Sequence, residues 1–310
     1  MATAASASAT APPQSQAEAL KALTFQRLHP KTYLERFLAE RVRPDGREPD
    51  EGRDVSVNVG SISTADGSAL VRIGQTTVVC GVKAEIAEPE LDRPEEGFLG
   101  TYIAGIIILS LHSLESCTTV PNLDLPAICS PKFKPGPPSE EAQVLSDRLN
   151  EILVASRVLP TSSLCIARGK AVWVLYVDAT CINYDGNVFD AALIAMVAAL
   201  QNTRLPKATF DEDKGRTICT RKEMLPLQID RLPLAISFGV FDATHILIDP
   251  TAFEEPLLDT NFTIVIDEKG DTISVMQLGL GIVGSQDVLT KCIASAKAHA
   301  AQLRGQIYNK

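Results

Sequence analysis

Two groups of closely spaced carboxylates are the residues best suited to chemistry in this sequence. The first surrounds a predicted turn and consists of Asp178, Asp185 and Asp190. The second follows a predicted strand and consists of Asp249, Glu254 and Glu255. Neighbouring carboxylates can hold a metal ion or transfer a proton during catalysis. They are also common in solvated loops after strands, and for the second group the sequence favours that interpretation.

Basic residues form two candidate binding clusters. One consists of Arg43, Arg47 and Arg53, and the other of Lys132, Lys134, Arg168 and Lys170. Either cluster could contact nucleic-acid phosphates or another protein, and either could consist of solvated or internally paired side chains. The formal net charge of the 310-residue chain is -9, so its bulk electrostatics repel nucleic acid. Any such contact must come from a local patch or from partner proteins.

The cysteine and histidine pattern predicts neither a metal site nor a disulfide framework. Seven cysteines and four histidines are scattered without metal-ligand spacing, which is typical of reduced thiols in a cytosolic or nuclear protein. We therefore expect no metal and no cofactor. The Ala/Ser/Thr-rich start lacks the features of a signal peptide. Residues 102–111 are apolar but far short of the roughly 20 residues that cross a bilayer, so no membrane association is expected.

Periodicity predicts an α+β fold with two halves behind an N-terminal helical arm. Short strands with polar turns begin near Asp54 and form an antiparallel meander. A helix opened by residues 137–141 (PPSEE), a strand over residues 172–177 and an apolar helix from Phe189 to about Leu200 follow. Strands over residues 234–241, 245–248, 262–266 and 272–276, then a terminal helix, complete the second half. Hairpins rather than crossovers dominate, which favours α+β over α/β.

Six sequence runs occur in an order that resembles a known family. They are residues 43–47 (RPDGR), 58–69 (NVGSISTADGSA), 74–83 (GQTTVVCGVK), 172–176 (VWVLY), 184–191 (YDGNVFDA) and 248–251 (IDPT). Together they resemble the RNase PH family, in particular the RNase PH-like ring subunits of the eukaryotic RNA exosome. The resemblance implies an RNase PH-like (ribosomal protein S5 domain 2-like) fold. It implies a first domain over residues 42–204 and a second over 205–310, and composition and periodicity predict a disordered tail and helical arm over residues 1–41.

The resemblance also implies a phosphate site that this sequence lacks. Active family members carry an Arg-containing turn at the start of the helix after the central strand, where amides and a guanidinium hold the attacking phosphate. The matching positions here are Asn187, Val188 and Phe189, and Asp185 and Asp190 flank them. A phosphate about 4 Å from either carboxylate would be repelled by about 4 kcal/mol at an effective dielectric of ~20. The matching acidic residues Asp249, Glu254 and Glu255 are therefore interpreted as vestigial, and no catalysis is expected.

The function that the resemblance implies is that of a non-catalytic subunit of the exosome ring. Its expected partners are other RNase PH-like ring subunits, cap subunits and RNA threaded through the assembled channel. The implied process is 3′-to-5′ processing of ribosomal and small nuclear RNA and turnover of messages, in the nucleus, nucleolus and cytoplasm. The alternative is an active phosphate-dependent 3′-to-5′ exoribonuclease. A third hypothesis is a small-molecule enzyme with acid–base residues among Asp178, Asp185 and Asp190.

One segment departs from the family pattern. Residues 98–119 form an anomalous, apolar and β-branched insertion where a surface connection should be polar. Our hypothesis is that this segment is the translation of a retained intron. The alternative is a partner-binding insert with an exposed apolar patch.

Overall fold

The computed structural model describes residues 13–89, 94–95, 98–100, 122–279 and 286–308. The chain up to Glu51 belongs to one compact unit, and the chain from Gly52 onward belongs to a second. The predicted insertion lies outside the described residues except for residues 98–100, and the predicted boundary near residue 204 stays a prediction. None of the helices in these ranges is long and apolar enough to cross a membrane.

The first unit contains the predicted helical arm. Helix α1 (Pro13–Leu28) is followed by helix α2 (Pro30–Ala39). Pro30 occupies the first turn of α2, where its missing N–H costs no hydrogen bond. The rings of Phe25 and Tyr33, one from each helix, have centroids 6.3 Å apart, and this aromatic contact joins the two helices.

The second unit begins with a seven-stranded sheet. Its strands are β1 (Val55–Val59), β2 (Gly67–Ile73), β3 (Thr76–Ala87), β4 (Phe98–Gly100), β5 (Asn122–Asp124), β6 (Cys165–Ala167) and β7 (Ala171–Asn183). The predicted meander is confirmed, because β1 pairs with β2 and β2 with β3, all antiparallel. Strand β7 pairs along the length of β3 and also contacts β4 and β5 in parallel.

Two helices accompany this sheet, and both were predicted. Helix α3 (Glu140–Ala155) begins where Ser139 Oγ accepts a hydrogen bond from the Ala142 amide at 3.2 Å, a favourable N-cap. Helix α4 (Val188–Asn202) is buried at every position from Val188 to Leu200. A helix that is apolar on all sides belongs in the interior. Accordingly α4 packs against β2 and β3 and forms the centre of the main core.

A two-stranded ribbon follows α4 and was not predicted. It consists of β8 (Arg204–Asp211) and β9 (Arg216–Pro226), paired antiparallel. Nearly every residue of β9 is exposed. A strand without a buried face shows no apolar alternation, and for this reason its sequence gave no strand signal.

A four-stranded sheet and a terminal helix complete the second unit. The strands are β10 (Leu234–Phe241), β11 (His245–Ile248), β12 (Thr260–Ile266) and β13 (Thr272–Gly279), in the order β11-β10-β12-β13. Helix α5 (Gln286–Tyr308) contacts β10 and β12. All eight residues of β10 are buried, and α4 contacts this strand from the other half. The mixture of hairpins and helices confirms the predicted α+β class.

Candidate functional site

A buried ion pair between Arg53 and Asp249 lies at the centre of the site. Arg53 precedes β1, and Asp249 follows β11 directly. Arg53 Nε donates to Asp249 Oδ2 and Nη2 donates to Oδ1, each at 2.7 Å. The two side chains are 8% and 9% exposed. Burial alone would raise the pKa of Asp249, but the hydrogen bonds and charge of Arg53 hold that pKa below its ordinary value.

The remaining donors of Arg53 bind the turn before α4. Its Nη1 donates to the carbonyl oxygen of Asp185 at 2.7 Å, and Nη2 donates to that of Gly186 at 3.3 Å. Thr76 Oγ1 also donates to the Gly186 carbonyl, at 2.7 Å. Gly186 has φ +77°, and a Cβ there would lie 2.5 Å from the backbone of Thr251. The turn therefore requires glycine and is fixed by a guanidinium from outside it.

Asn187 connects two carboxylates at the start of α4. Its Nδ2 donates to Asp190 Oδ2 at 2.8 Å and to Asp249 Oδ1 at 2.7 Å. The residue has φ +50°, in the left-handed region that Asn tolerates better than most side chains. One amide group thus satisfies two acids whose charges would otherwise repel each other.

Asp190 is held from the β10 side by Ser237. The Ser237 amide donates to Asp190 Oδ2 at 2.9 Å, and the Ser237 hydroxyl donates to Oδ1 at 2.8 Å. Burial raises the pKa of Asp190 to about 6, and the hydrogen bonds from Asn187 and Ser237 limit that rise. This carboxylate is a fixed, internally bonded group.

Glu255 occupies the place at the α4 N-terminus where an anion would bind. Its Oε1 accepts a hydrogen bond from the Asn187 backbone amide at 2.7 Å. The Tyr184 hydroxyl donates to Oε2 through a short hydrogen bond. Burial raises the pKa of Glu255. Burial also raises the pKa of Tyr184, and the negative charge of Glu255 raises it further. An amide at a helix N-terminus favours negative charge, and here a side chain of the same protein supplies it.

A cleft of about 820 Å³ opens beside this network. Its apolar wall includes Val188, Phe189 and Phe238, and its rim includes Lys132 and Glu141. Lys132 Nζ is 2.8 Å from a Glu141 carboxylate oxygen. Phe189 is 7% exposed and forms part of the main core. The wall next to the α4 N-terminus is thus apolar, and the rim lysine already has a carboxylate partner.

Comparisons with known proteins agree with this architecture. The model of domain 1 of the 3′ exoribonuclease family (RNase PH) matches residues 51–206, and the domain 2 model matches residues 231–299. The exosome complex component rrp43 of Schizosaccharomyces pombe is 41% identical over 88% of this chain and 93% of its own length. This chain belongs to the 3′ exoribonuclease (RNase PH) family. The exosome complex component Rrp42 of Methanothermobacter thermautotrophicus is 36% identical over 84% of this chain and 88% of its own.

A solved structure places this RNase PH chain among exosome folds. A chain of the Archaeoglobus fulgidus exosome with RNA bound to the active site superposes with a TM-score of 0.73 and 29% identity. The match covers 89% of this chain and 96% of that chain. The RNase PH-like fold with two α+β halves, predicted from six sequence runs, is therefore confirmed.

The predicted site residues of this RNase PH chain occupy different environments. Glu254 is 1% exposed and caps its own turn, because its Oε2 accepts from the Thr251 amide at 2.9 Å. Lys134 is exposed. Arg168 pairs with Glu95 at 2.9 Å on the surface. The structure brings Asn187, Asp249 and Glu255 together, whereas the carboxylate of Glu254 bonds to Thr251 within the same turn.

The two arginines of the first unit, Arg43 and Arg47, flank a turn at Asp45 and Gly46. Gly46 has φ +91°, and the Arg43 amide donates to the Arg47 carbonyl at 2.8 Å. Arg47 Nε donates to Asp45 Oδ2 at 2.7 Å, and its Nη1 donates to the Glu51 carbonyl at 3.0 Å. Arg43 is fully buried. Their role as RNA or interface contacts stays a prediction.

Sequence reasoning missed the structural role of Arg53 and the contributions of Ser237 and Tyr184. Arg53 was grouped with its sequence neighbours as a basic cluster, whereas its partner Asp249 lies 196 positions away. Ser237 sits inside an apolar strand, where its single hydroxyl carried no recognisable signal. Tyr184 was part of a family-like run, but nothing in the run indicated a contact with Glu255.

Proposed function

We propose that this chain is a non-catalytic subunit of an exosome ring. It assembles with other RNase PH-like subunits and with cap subunits around a channel, and RNA passes through that channel for 3′-to-5′ processing and degradation. Precursors of ribosomal and small nuclear RNA and messages undergoing turnover are the implied substrates. The proposal places the chain in the nucleolus, nucleus and cytoplasm.

The observation that carries the non-catalytic part is the filled anion position at the start of α4. A phosphate bound there would need the Asn187 amide, which Glu255 already uses at 2.7 Å. It would also need a guanidinium, and the nearby Arg53 is already paired at two points with Asp249. The Asn187 amide and the Arg53 guanidinium, two groups that could hold an anion there, are therefore committed inside the protein.

The surrounding charge opposes phosphate as well. Asp190, Asp249 and Glu255 all bond to Asn187, and Arg53 pairs with Asp249. A dianionic phosphate entering beside several carboxylates meets like charge in a partly buried, weakly screened region. Two of the relatives are named as exosome complex components. The electrostatic arrangement suits a subunit with a structural role in such a complex and no catalytic role.

The test is a phosphorolysis assay on the purified chain. The chain, a uniformly labelled single-stranded RNA and inorganic phosphate are incubated together, and released nucleoside diphosphates are measured. We expect no release above a no-protein blank. Release that is lost in the Asp249→Ala variant would support the alternative, an active phosphate-dependent exoribonuclease. Release that persists in this variant would point to a contaminating nuclease.

The assembly part of the proposal has its own test. Affinity purification of the tagged chain from its own cells should recover other RNase PH-like proteins in amounts equal to the bait. Recovery of the chain by itself, with no RNase PH-like partner, would contradict a ring subunit.

A further inference from the structure

Most of the β8–β9 ribbon lies in the gap between the two family models. Those models match residues 51–206 and 231–299. The pairing contains a wide irregularity, because Lys207 is opposite Thr220 while Pro206 is opposite Met224. Residues 221–223 therefore have no partner on β8. Bulges of this kind change the direction in which side chains point, and they often occur at functional edges.

The bulge presents two adjacent cations, Arg221 and Lys222, and both side chains are exposed. The third residue of the bulge, Glu223, does not neutralise them, because its carboxylate pairs with Lys207 at 2.9 Å. In the described part of the chain, neither Arg221 nor Lys222 has a carboxylate within ion-pair distance. Two neighbouring positive charges thus remain uncompensated on a chain whose net charge is -9.

The other carboxylates of the ribbon are largely used by other lysines. Asp211 pairs with Lys214 at 3.1 Å, and Glu212 pairs with Lys170 at 2.8 Å. Between Arg204 and Pro226 six cationic and four acidic residues give the ribbon a net charge of +2, and two of the cations are adjacent at the bulge. Phosphate groups bind such exposed Arg and Lys side chains without needing a shaped pocket.

Most of the basic residues considered first from the sequence already have partners, and the exposed Lys134 is a single cation instead of an adjacent pair. Arg53 is buried and paired with Asp249, and Lys132 is paired with Glu141. Arg168 and Lys170 are paired with Glu95 and Glu212. A cation already bound to a carboxylate gains less from a phosphate than an uncompensated one, because the existing pair must be broken.

We propose that the bulge at Arg221 and Lys222 is an RNA-binding site that contacts the phosphodiester backbone of single-stranded RNA. The inference rests on the proposed role in a ring through which RNA passes. The contact is independent of base sequence, since phosphates carry no sequence information. Met224 and Leu225 beside the bulge are 43% and 53% exposed. Exposed apolar side chains are typical of protein contacts, so a neighbouring protein is the alternative ligand of this surface. The test must distinguish RNA binding from protein binding.

The experiment compares reconstituted rings that contain the wild-type chain or the double variant Arg221→Gln/Lys222→Gln. Binding of a fluorescent single-stranded oligonucleotide is measured between 50 and 300 mM salt, and ring yield is measured by size-exclusion chromatography. We expect a normal yield and about tenfold weaker binding near 0.1 M salt. The salt slope should fall by about 1.4, which corresponds to two lost contacts at ~0.7 each.

The matched control is the double variant Lys269→Gln/Lys297→Gln, which removes two exposed lysines from the β12–β13 turn and from α5. It removes the same total charge and should leave affinity and slope unchanged. Equal effects of the two double variants, or no effect of the bulge variant, would overturn the proposal. Loss of ring yield in the bulge variant would overturn it in favour of a subunit contact. Phosphorolysis by the wild-type chain would contradict the proposed function without changing these outcomes.

Discussion

Arg53 and Asp249, separated by 196 positions, join the residue before the first strand of the second unit to the residue after β11 through two hydrogen bonds of 2.7 Å. The same guanidinium donates to the turn that starts α4. One side chain thereby fixes the positions of the first sheet, the central helix and the second sheet relative to one another. The pair thus connects the two halves of the second unit. It also leaves the Arg53 guanidinium bonded to Asp249 and not available to an anion.

Breaking this ion pair should strongly destabilise the fold. Arg53→Met leaves the buried Asp249 without its cation, and such single-partner removal costs about 3–5 kcal/mol. Urea denaturation should show a lower midpoint with an unchanged slope. Lys207→Met, which breaks the exposed pair with Glu223, should leave the midpoint where it is. Equal midpoints for Arg53→Met and the wild type would mean that the pair does not hold the halves together.

The double variant Arg53→Met/Asp249→Leu provides a second check on the same contact. Removing both partners leaves no unpaired buried charge, so the double variant should be more stable than the Arg53→Met single variant. A double-mutant cycle from the same urea curves gives the coupling energy. Strict additivity of the two single effects would contradict a direct interaction.

Gly186 should not tolerate a side chain. Gly186→Ala places a Cβ 2.5 Å from the backbone of Thr251 at φ +77°, so we expect a loss of more than about 2 kcal/mol. Gly270→Ala is the matched control, since Gly270 has φ +83° with nothing within 4 Å, and it should cost only about 1 kcal/mol. Thermal unfolding followed by circular dichroism measures both. Similar shifts in Tm would show that the turn is not tightly packed.

Asp190 should make stability depend on pH in a defined window. Burial raises its pKa from 3.8 to about 6, so the folded state binds more protons than the unfolded state between those values. Stability contributed by this residue therefore falls as pH rises from about 4 to about 6, by about 3 kcal/mol, and is constant above. The free energy of unfolding of the wild type minus that of Asp190→Asn, measured across pH 4–8, should show this fall. A flat difference would contradict the buried carboxylate.

Local pattern was sufficient to predict most of the elements. The meander β1–β3 follows from alternating valines and polar turns, and α3 follows from the start at residues 137–141 and the apolar residues after it. The long apolar run at α4 indicated a buried helix. Strand β9 of the ribbon could not be found in this way, because exposure on both faces removes the alternation from which a strand is predicted.

The contacts of the candidate site were beyond sequence reasoning for a different reason. Asn187, Asp249 and Glu255 were identified by their resemblance to family positions, but their partners come from distant elements. Arg53 was grouped with Arg43 because the two are close in sequence, whereas its ion pair depends on how the two sheets pack. Tertiary packing decides such pairs, and a single sequence contains no record of it.

The measurement that tests the central claim most directly is the binding of inorganic phosphate to the purified chain. The phosphorus NMR line width at millimolar phosphate reports any bound fraction. Displacement of bound phosphate by added RNA can be measured in the same sample. Because Glu255 and Asp249 already use the Asn187 amide and the Arg53 guanidinium, we predict no broadening beyond that caused by an unrelated acidic protein. Saturable broadening that disappears in the Arg53→Met variant, with its fold confirmed by circular dichroism, would contradict the account.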